Sequence, residues 1–504
     1  MSKSKGAIPD VLFENDVLSE PTVRLARNAV SNNDLLEVLQ DRDVRNKYNY
    51  VYSNRVSTEG EITSQKSSGR CWMFAMMNVA RIQTIRKYNL SNSFEFSQSY
   101  LFFYDKLERS NFFLENIIES RNEDVGSRIV CHLLSNPMED GGQWDMLINL
   151  VEKYGLVPKS VFPECHCSSS SRRFNWFLSN KLRGWAQELR SLASKTPEGD
   201  DVTNFLREAK NEMMKHVYRM LVIFFGLPPS ATDKFDWTYY DKDKKFGCIR
   251  NLTPQSFYAN HVPYQIISKI SLINDPRNAY WKLYTVDKLD NMAGGRGTSY
   301  INLPIEELKR YACKTIDGDE PVWFGCDVGK FFHRKLSVMD TELYDYQLAF
   351  GTAPNLDKKG RLLHGESLMT HAMTFTGYDE KNAAAVAKVK DEKEDEKDTE
   401  EKKKDIKVTE ESAKDEEATP YKVPTVLKWR VENSWGEEGA DKGYYLMTDS
   451  WFDEYMYQVV VDKSILTSEI LALLATPATI LPAWDPMGAL AKDMHDFAHD
   501  KDLE

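Results

Sequence analysis

Apolar positions change their spacing several times along the chain, and the changes divide it. Pro21 to Leu39 carries them at helical spacing, whereas Tyr48 to Arg55 is aromatic and reads as extended. A small polar stretch, Gln65 to Arg70, then gives way at Cys71 to Trp72, Met73, Phe74, Ala75, Met76, Met77 and Val79. So abrupt a switch predicts a loop entering a buried helix that runs toward Tyr88, with Cys71 in its first turn. Ser97 stands in capping position before Tyr100, Leu101, Phe102, Phe103 and Tyr104. Val202, Leu206, Met213, Val217, Leu221 and their neighbours recur at spacings of three and four. They predict one amphipathic helix, stopped by Gly226, Leu227, Pro228 and Pro229. The Asp/Lys-rich turn at 241–245 reads as a hairpin or exposed hook. Beyond Pro321 the period shortens. Val322 to Cys326, the segment opening at His371, Lys428 to Glu432 and Gly443 to Thr448 read as strands of one sheet or barrel.

Composition narrows the class. A chain of 504 residues with 41% hydrophobic and 12% aromatic content can bury a large core, and its length suggests two or three subdomains. No apolar run approaches the roughly 18 residues that span a bilayer. The first residues lack both the apolar core of a secretory signal and the Arg-rich pattern of a transit peptide, so a cytoplasmic location with reduced cysteines is expected. The net charge of −12 is concentrated: 388–417 carries −5 and 493–504 carries −4, leaving −3 elsewhere. That near-neutral body gives no general attraction to nucleic acid. The run at 388–417 has too few apolar residues to fold, so 386–420 is expected to be a disordered, solvated loop between the strands of His371 and Asn433.

The chemistry gathers at Cys71. A helix N-terminus favours a thiolate, and the thiolate is the nucleophile of acyl transfer. Gln65, six residues upstream, could join the Cys71 N–H in stabilising an oxyanion if the loop folds back. A buried structural cysteine fits the same stretch, and the residues alone leave both readings open. His371 starts its strand, while its one rival as base, His364, lies in loop context. Gly141 and Gly142 mark a place where backbone must come close to something. Cys165, His166 and Cys167 lack the second ligand pair of a structural zinc site, so no metal is expected there.

In chain order, Gln65, Cys71, His371 and Asn433 resemble the papain-type cysteine peptidase set. QxSSGRCWxFA around Cys71, the Asp140-to-Trp144 segment, DVGKFF and the stretch from Ala483 to Ala491 resemble the bleomycin hydrolase family of cytosolic aminopeptidases over nearly the whole chain. The resemblance implies an α+β, papain-like fold: a helical subdomain, a β-barrel subdomain and a large helical insertion. It divides the chain into an N-terminal arm (1–60), a helical subdomain with the nucleophile helix (61–171), a mainly helical insertion for association (172–315), a barrel carrying His371 and Asn433 (316–480) and a tail entering the cleft (481–504). Cys71 would be nucleophile, His371 acid and base, Asn433 its orienter and Gln65 an oxyanion donor. Trp435 would shield the His–Asn bond, Gly141 and Gly142 would pair with substrate backbone, and Ala491 would lie in the cleft. The family's properties further imply peptides with a free N-terminus as substrates, bleomycin-type amide and homocysteine-thiolactone hydrolysis, a homohexamer and no cofactor. Two other readings stay open: a moonlighting nucleic-acid-binding ring and a Cys–His acyltransferase. Relatives end near Lys492, whereas this chain continues through 493–504, so trimming near Ala491 or Lys492 by Cys71 is expected.

Overall fold

The computed structural model describes residues 19–196, 199, 201–381, 421 and 423–491. Among them a 12-stranded sheet forms the backbone of the molecule. Its order is Thr479–Leu481, Lys282–Val286, Tyr300–Asn302, Lys269–Ile273, Met456–Asp462, Val322–Cys326, His371–Glu380, Val426–Glu432, Tyr444–Thr448, Val338–Met339 and Phe332–His333. Asn54–Arg55 pairs with His371–Glu380 off that path. Val322–Cys326 is buried at every position, as is His371–Glu380 over its first eight. Alternate side chains serve different cores. Trp323 and Ala372 face the helices with Cys71, while Phe324 and Met373 face the opposite cluster.

The Cys71–Tyr88 helix is buried almost all round and packs on the His371–Glu380 strand, where Thr374 Oγ1 donates to the Ala75 carbonyl at 3.3 Å. It ends at Asn89, whose left-handed φ of 49° that residue tolerates well. Ser97 caps the Gln98–Glu119 helix, accepting the Tyr100 N–H at 3.1 Å. Two 24-residue helices, Arg172–Lys195 and Val202–Phe225, pack against it, the second stopping at Gly226. Phe235–Tyr240 and Phe246–Leu252 form the hairpin whose tip is the Asp/Lys-rich turn.

The helical spacing from Pro21 to Leu39 resolves into two helices, Pro21–Val30 and Leu35–Leu39, because Asp34 accepts the Leu36 and Glu37 N–H groups and starts the second. The 172–315 segment joins its long helices to strands. Besides the hairpin, it sends Lys269–Ile273, Lys282–Val286 and Tyr300–Asn302 into the large sheet. Those strands have five, five and three residues, too short for a clear period, and they join the sheet through the pairing of Lys269–Ile273 with Met456–Asp462, remote in sequence. The charged loop expected at 386–420 and the tail beyond Ala491 lie outside the described residues. No helix among those described is long and apolar enough to cross a membrane.

Candidate active site

Cys71 is the first residue of its helix and is fully buried. The loop that delivers it is strung against the loop after Asn433: Ser64 bridges Trp435, and the Gln65 N–H donates to the Ser434 carbonyl at 2.8 Å. The Gln65 side chain is clamped. Its Oε1 accepts the Ser434 hydroxyl at 2.6 Å, and its Nε2 donates to the Ser68 carbonyl at 2.6 Å. Arg70, just before the nucleophile, forks onto Glu164 at 2.9 and 3.0 Å. That fork fixes the last residue before the helix from outside the cleft.

His371 Nε2 lies 2.9 Å from Asn433 Oδ1, which also accepts the Ser434 N–H at 2.7 Å. An amide oxygen so placed can only accept, so Nε2 carries the hydrogen and Nδ1 is the basic nitrogen. Nδ1 is buried without a partner among the described residues. Desolvation pushes His371 down to about 4, against the upward pull of the Asn433 bond. The half-buried Trp435 ring lies 4.9 Å from the imidazole, centroid to centroid, and the Arg334 guanidinium sits 5.3 Å from its own centre. The sequence's four central residues thus fall in one region: Gln65 touches Ser434, Asn433 touches His371, and Cys71 follows Gln65 by six positions.

The two glycines face a strand of the chain itself. Gly142 pairs antiparallel with Ala491, and Gln143 Nε2 donates to the Ala489 carbonyl at 2.5 Å. A Cβ on Gly142 would sit 2.6 Å from the Trp72 ring, and one on Gly141 would sit 2.8 Å from the Ala491 carbonyl oxygen. Neither position has room for a side chain. Ala491 is fully buried, with its carbonyl oxygen 3.5 Å from Cys71 Sγ. Behind it the tail is anchored by Asp485 on Arg277 at 2.7 Å and by Trp484 under Arg128, 4.0 Å from its ring centre.

Sequence reasoning missed Ser434, Gln143, Asp140 and Lys106. Ser434, Asp140 and Gln143 stood in or beside motif segments without a role and Lys106 stood outside them, because each role depends on a partner distant in the chain. Cys165 caps the His166–Ser169 turn, its Sγ accepting the Ser168 N–H at 3.4 Å. The described residues contain no group of three or more His, Cys, Asp or Glu placed to hold a metal.

The sequence model of the Peptidase C1-like family matches residues 10–403 and 414–488. Bleomycin hydrolase of Mus musculus is 44% identical over 482 residues, 94% of this chain and 96% of that protein. Aminopeptidase C of Streptococcus thermophilus is 39% identical over 466 residues, covering 92% and 94%. Among solved structures, PepW from Lactobacillus rhamnosis superimposes with a TM-score of 0.85 at 37% identity, over 97% of this chain and all of that one.

Proposed function

The chain belongs to the Peptidase C1-like family of cysteine peptidases, and from that premise we propose that it removes residues from the free N-termini of peptides through a thioacyl-enzyme on Cys71. The Cys71 thiol passes its proton to His371 Nδ1, the resulting thiolate attacks the scissile carbonyl carbon, and the oxyanion is received by the Cys71 N–H and the Gln65 amide. His371 gives its Nδ1 proton to the leaving amine, then takes one from the water that cleaves the thioester. Asn433 holds the other ring nitrogen, and Trp435 covers that bond.

The observation that carries this reading is the Ala491 carbonyl oxygen, 3.5 Å from Sγ on backbone paired with Gly142. The tail lies as an extended peptide would. By filling that strip it leaves little room for substrate on the N-terminal side of the scissile bond, which favours one residue at a time. Bleomycin-type amides and homocysteine thiolactone fall under the same proposal, since each offers an activated or amide carbonyl beside a free amine.

A fluorogenic aminoacyl amide and its N-acetylated analogue test the reading. The wild type should cleave the free amine at least about 100-fold faster, a difference of about 2.7 kcal/mol, and Cys71→Ser should cleave neither. Equal cleavage of the blocked compound would sink the exopeptidase assignment. Association belongs to the proposal too. Trp176, Ile223 and Leu227 are 70%, 71% and 67% exposed on or just after the two long helices. A homohexamer covering them is expected, and light scattering of the purified chain reads its mass. None of the seven cysteines, all among the described residues, is given a disulfide partner, in keeping with the cytoplasmic setting proposed here.

A further inference from the structure

We propose that Asp140 is a positioning residue for this hydrolysis: its buried carboxylate fixes both the turn that presents Cys71 and the strip that pairs with extended chain. The inference rests on Cys71 being the nucleophile, as argued above. Asp140 Oδ2 accepts the Gly69 N–H at 3.0 Å and the Ser171 hydroxyl. Its Oδ1 accepts Asn175 Nδ2 at 2.6 Å and Lys106 Nζ at 2.7 Å. The Asp140 carbonyl accepts the Trp72 indole N–H at 2.7 Å. Residues two before and one after Cys71 therefore both hang on position 140, while Gly141 and Gly142 follow it directly.

The strip is held from the same helix. Arg109, one turn along from Lys106, donates to the Gly141 carbonyl at 2.9 Å and pairs with Asp105 at 3.1 Å. Lys106 is fully buried and also donates to the Glu139 carbonyl at 2.5 Å. Burial alone would raise the Asp140 carboxyl. The Lys106 charge and the bonds from Lys106, Ser171 and Asn175 hold it well below the usual carboxylate range instead. Four donors from three chain segments converge on one carboxylate, and that fixes directions an apolar contact of equal volume would leave free. A shift of about 1 Å between nucleophile and bound carbonyl costs about 100-fold in rate.

The test compares wild type, Asp140→Asn, the apolar double variant Lys106→Met/Asp140→Leu and Asn175→Ala. Three quantities are read: the unfolding midpoint, kcat and KM on an aminoacyl arylamide with a free amine, and the rate of Cys71 alkylation by iodoacetamide per folded molecule. The double variant leaves no unpaired buried charge but orphans the Gly69 N–H and the Ser171 hydroxyl, so its midpoint should fall while it still folds. Its kcat should fall about 100-fold, its KM should rise, and its alkylation should slow. Asp140→Asn should show the same pattern in smaller measure. A double variant that folds and keeps wild-type kcat and alkylation would reduce Asp140 to a structural staple and overturn the proposal. Should either Asp140 variant fail to fold, Asn175→Ala decides, because it removes one donor at the half-buried edge of the hub. Slowed alkylation there supports the proposal, and an unchanged rate overturns it. Failure of the nucleophile assignment would look different: Cys71→Ser in an otherwise wild-type chain would still turn over.

Discussion

At the scale of single residues, the site depends on side chains that orient other side chains. Ser434 shows the logic. Its hydroxyl donates to Gln65 Oε1 and its N–H to Asn433 Oδ1, so one residue steadies both the oxyanion amide and the orienter of His371. Ser434→Ala should lower kcat about tenfold, the worth of one hydrogen bond of about 1.4 kcal/mol, with KM little changed. A kcat equal to wild type would remove Ser434 from the account. His371 makes a separate prediction about pH. Its folded value of about 4 lies below the ordinary 6.5, so the unfolded chain binds the extra proton between those limits. Stability contributed by the neutral imidazole is therefore present above pH 6.5 and lost as pH falls toward 4, on the order of 3 kcal/mol in all. Urea unfolding of wild type and His371→Gln from pH 7 to 4.5 checks the sign. The variant should gain on wild type as the solution is acidified, and parallel curves would contradict it.

At the scale of elements, the strip and the strands make distinct claims. A methyl group on Gly142 strikes the buried Trp72 ring, whereas one on Gly141 strikes the tail, at the Ala491 carbonyl and Leu490 Cβ. Gly142→Ala should accordingly lose about 1–3 kcal/mol of stability by overpacking. Gly141→Ala should keep its midpoint and disturb the tail, seen as faster proteolysis of the C-terminal segment. Equal losses in the two variants would contradict the assignment. The strands bearing His371 and Asn433 are antiparallel neighbours, paired up to Glu380 and Val426, and Lys381 donates to Thr425 at 2.9 Å. The segment between them leaves and re-enters at adjacent points, and its composition offers no core. Replacing 388–417 by a short Gly/Ser bridge should leave kcat and Tm nearly unchanged, because loop closure costs little per residue. A Tm fall of more than about 5 °C, on the order of a few kcal/mol, would show that the run packs on the body.

At the scale of the whole molecule, the tail crosses from one end of the sheet to the nucleophile. Arg277 holds Asp485, Gln143 holds Ala489 and Gly142 holds Ala491, which brings the Ala491 carbonyl to the thiol while the sequence continues past it. We propose that Cys71 trims the chain beside Ala491. Intact mass spectrometry should find wild-type protein shortened at or next to Ala491, and Cys71→Ser protein full length. Full-length wild type with undiminished preference for free N-termini would separate exopeptidase selectivity from this end of the chain.

What the sequence determined by itself was local. The polar-to-apolar switch at Cys71, the Ser97 cap, the Gly226 stop and the alternation after His371 each follow from neighbours within a few residues. The set Gln65, Cys71, His371 and Asn433 came instead from resemblance to the papain-type peptidases, since neighbouring residues alone left Cys71 open between a catalytic and a structural role. Tertiary structure alone decided what depends on partners far along the chain. It placed three short strands of the 269–302 region in the main sheet, turned Ser434 onto Gln65, gathered four donors on Asp140 and laid Ala491 against Gly142. Burial makes those contacts energetically decisive, since a buried polar group without a partner is costly. No periodicity in sequence encodes which distant residue will supply that partner.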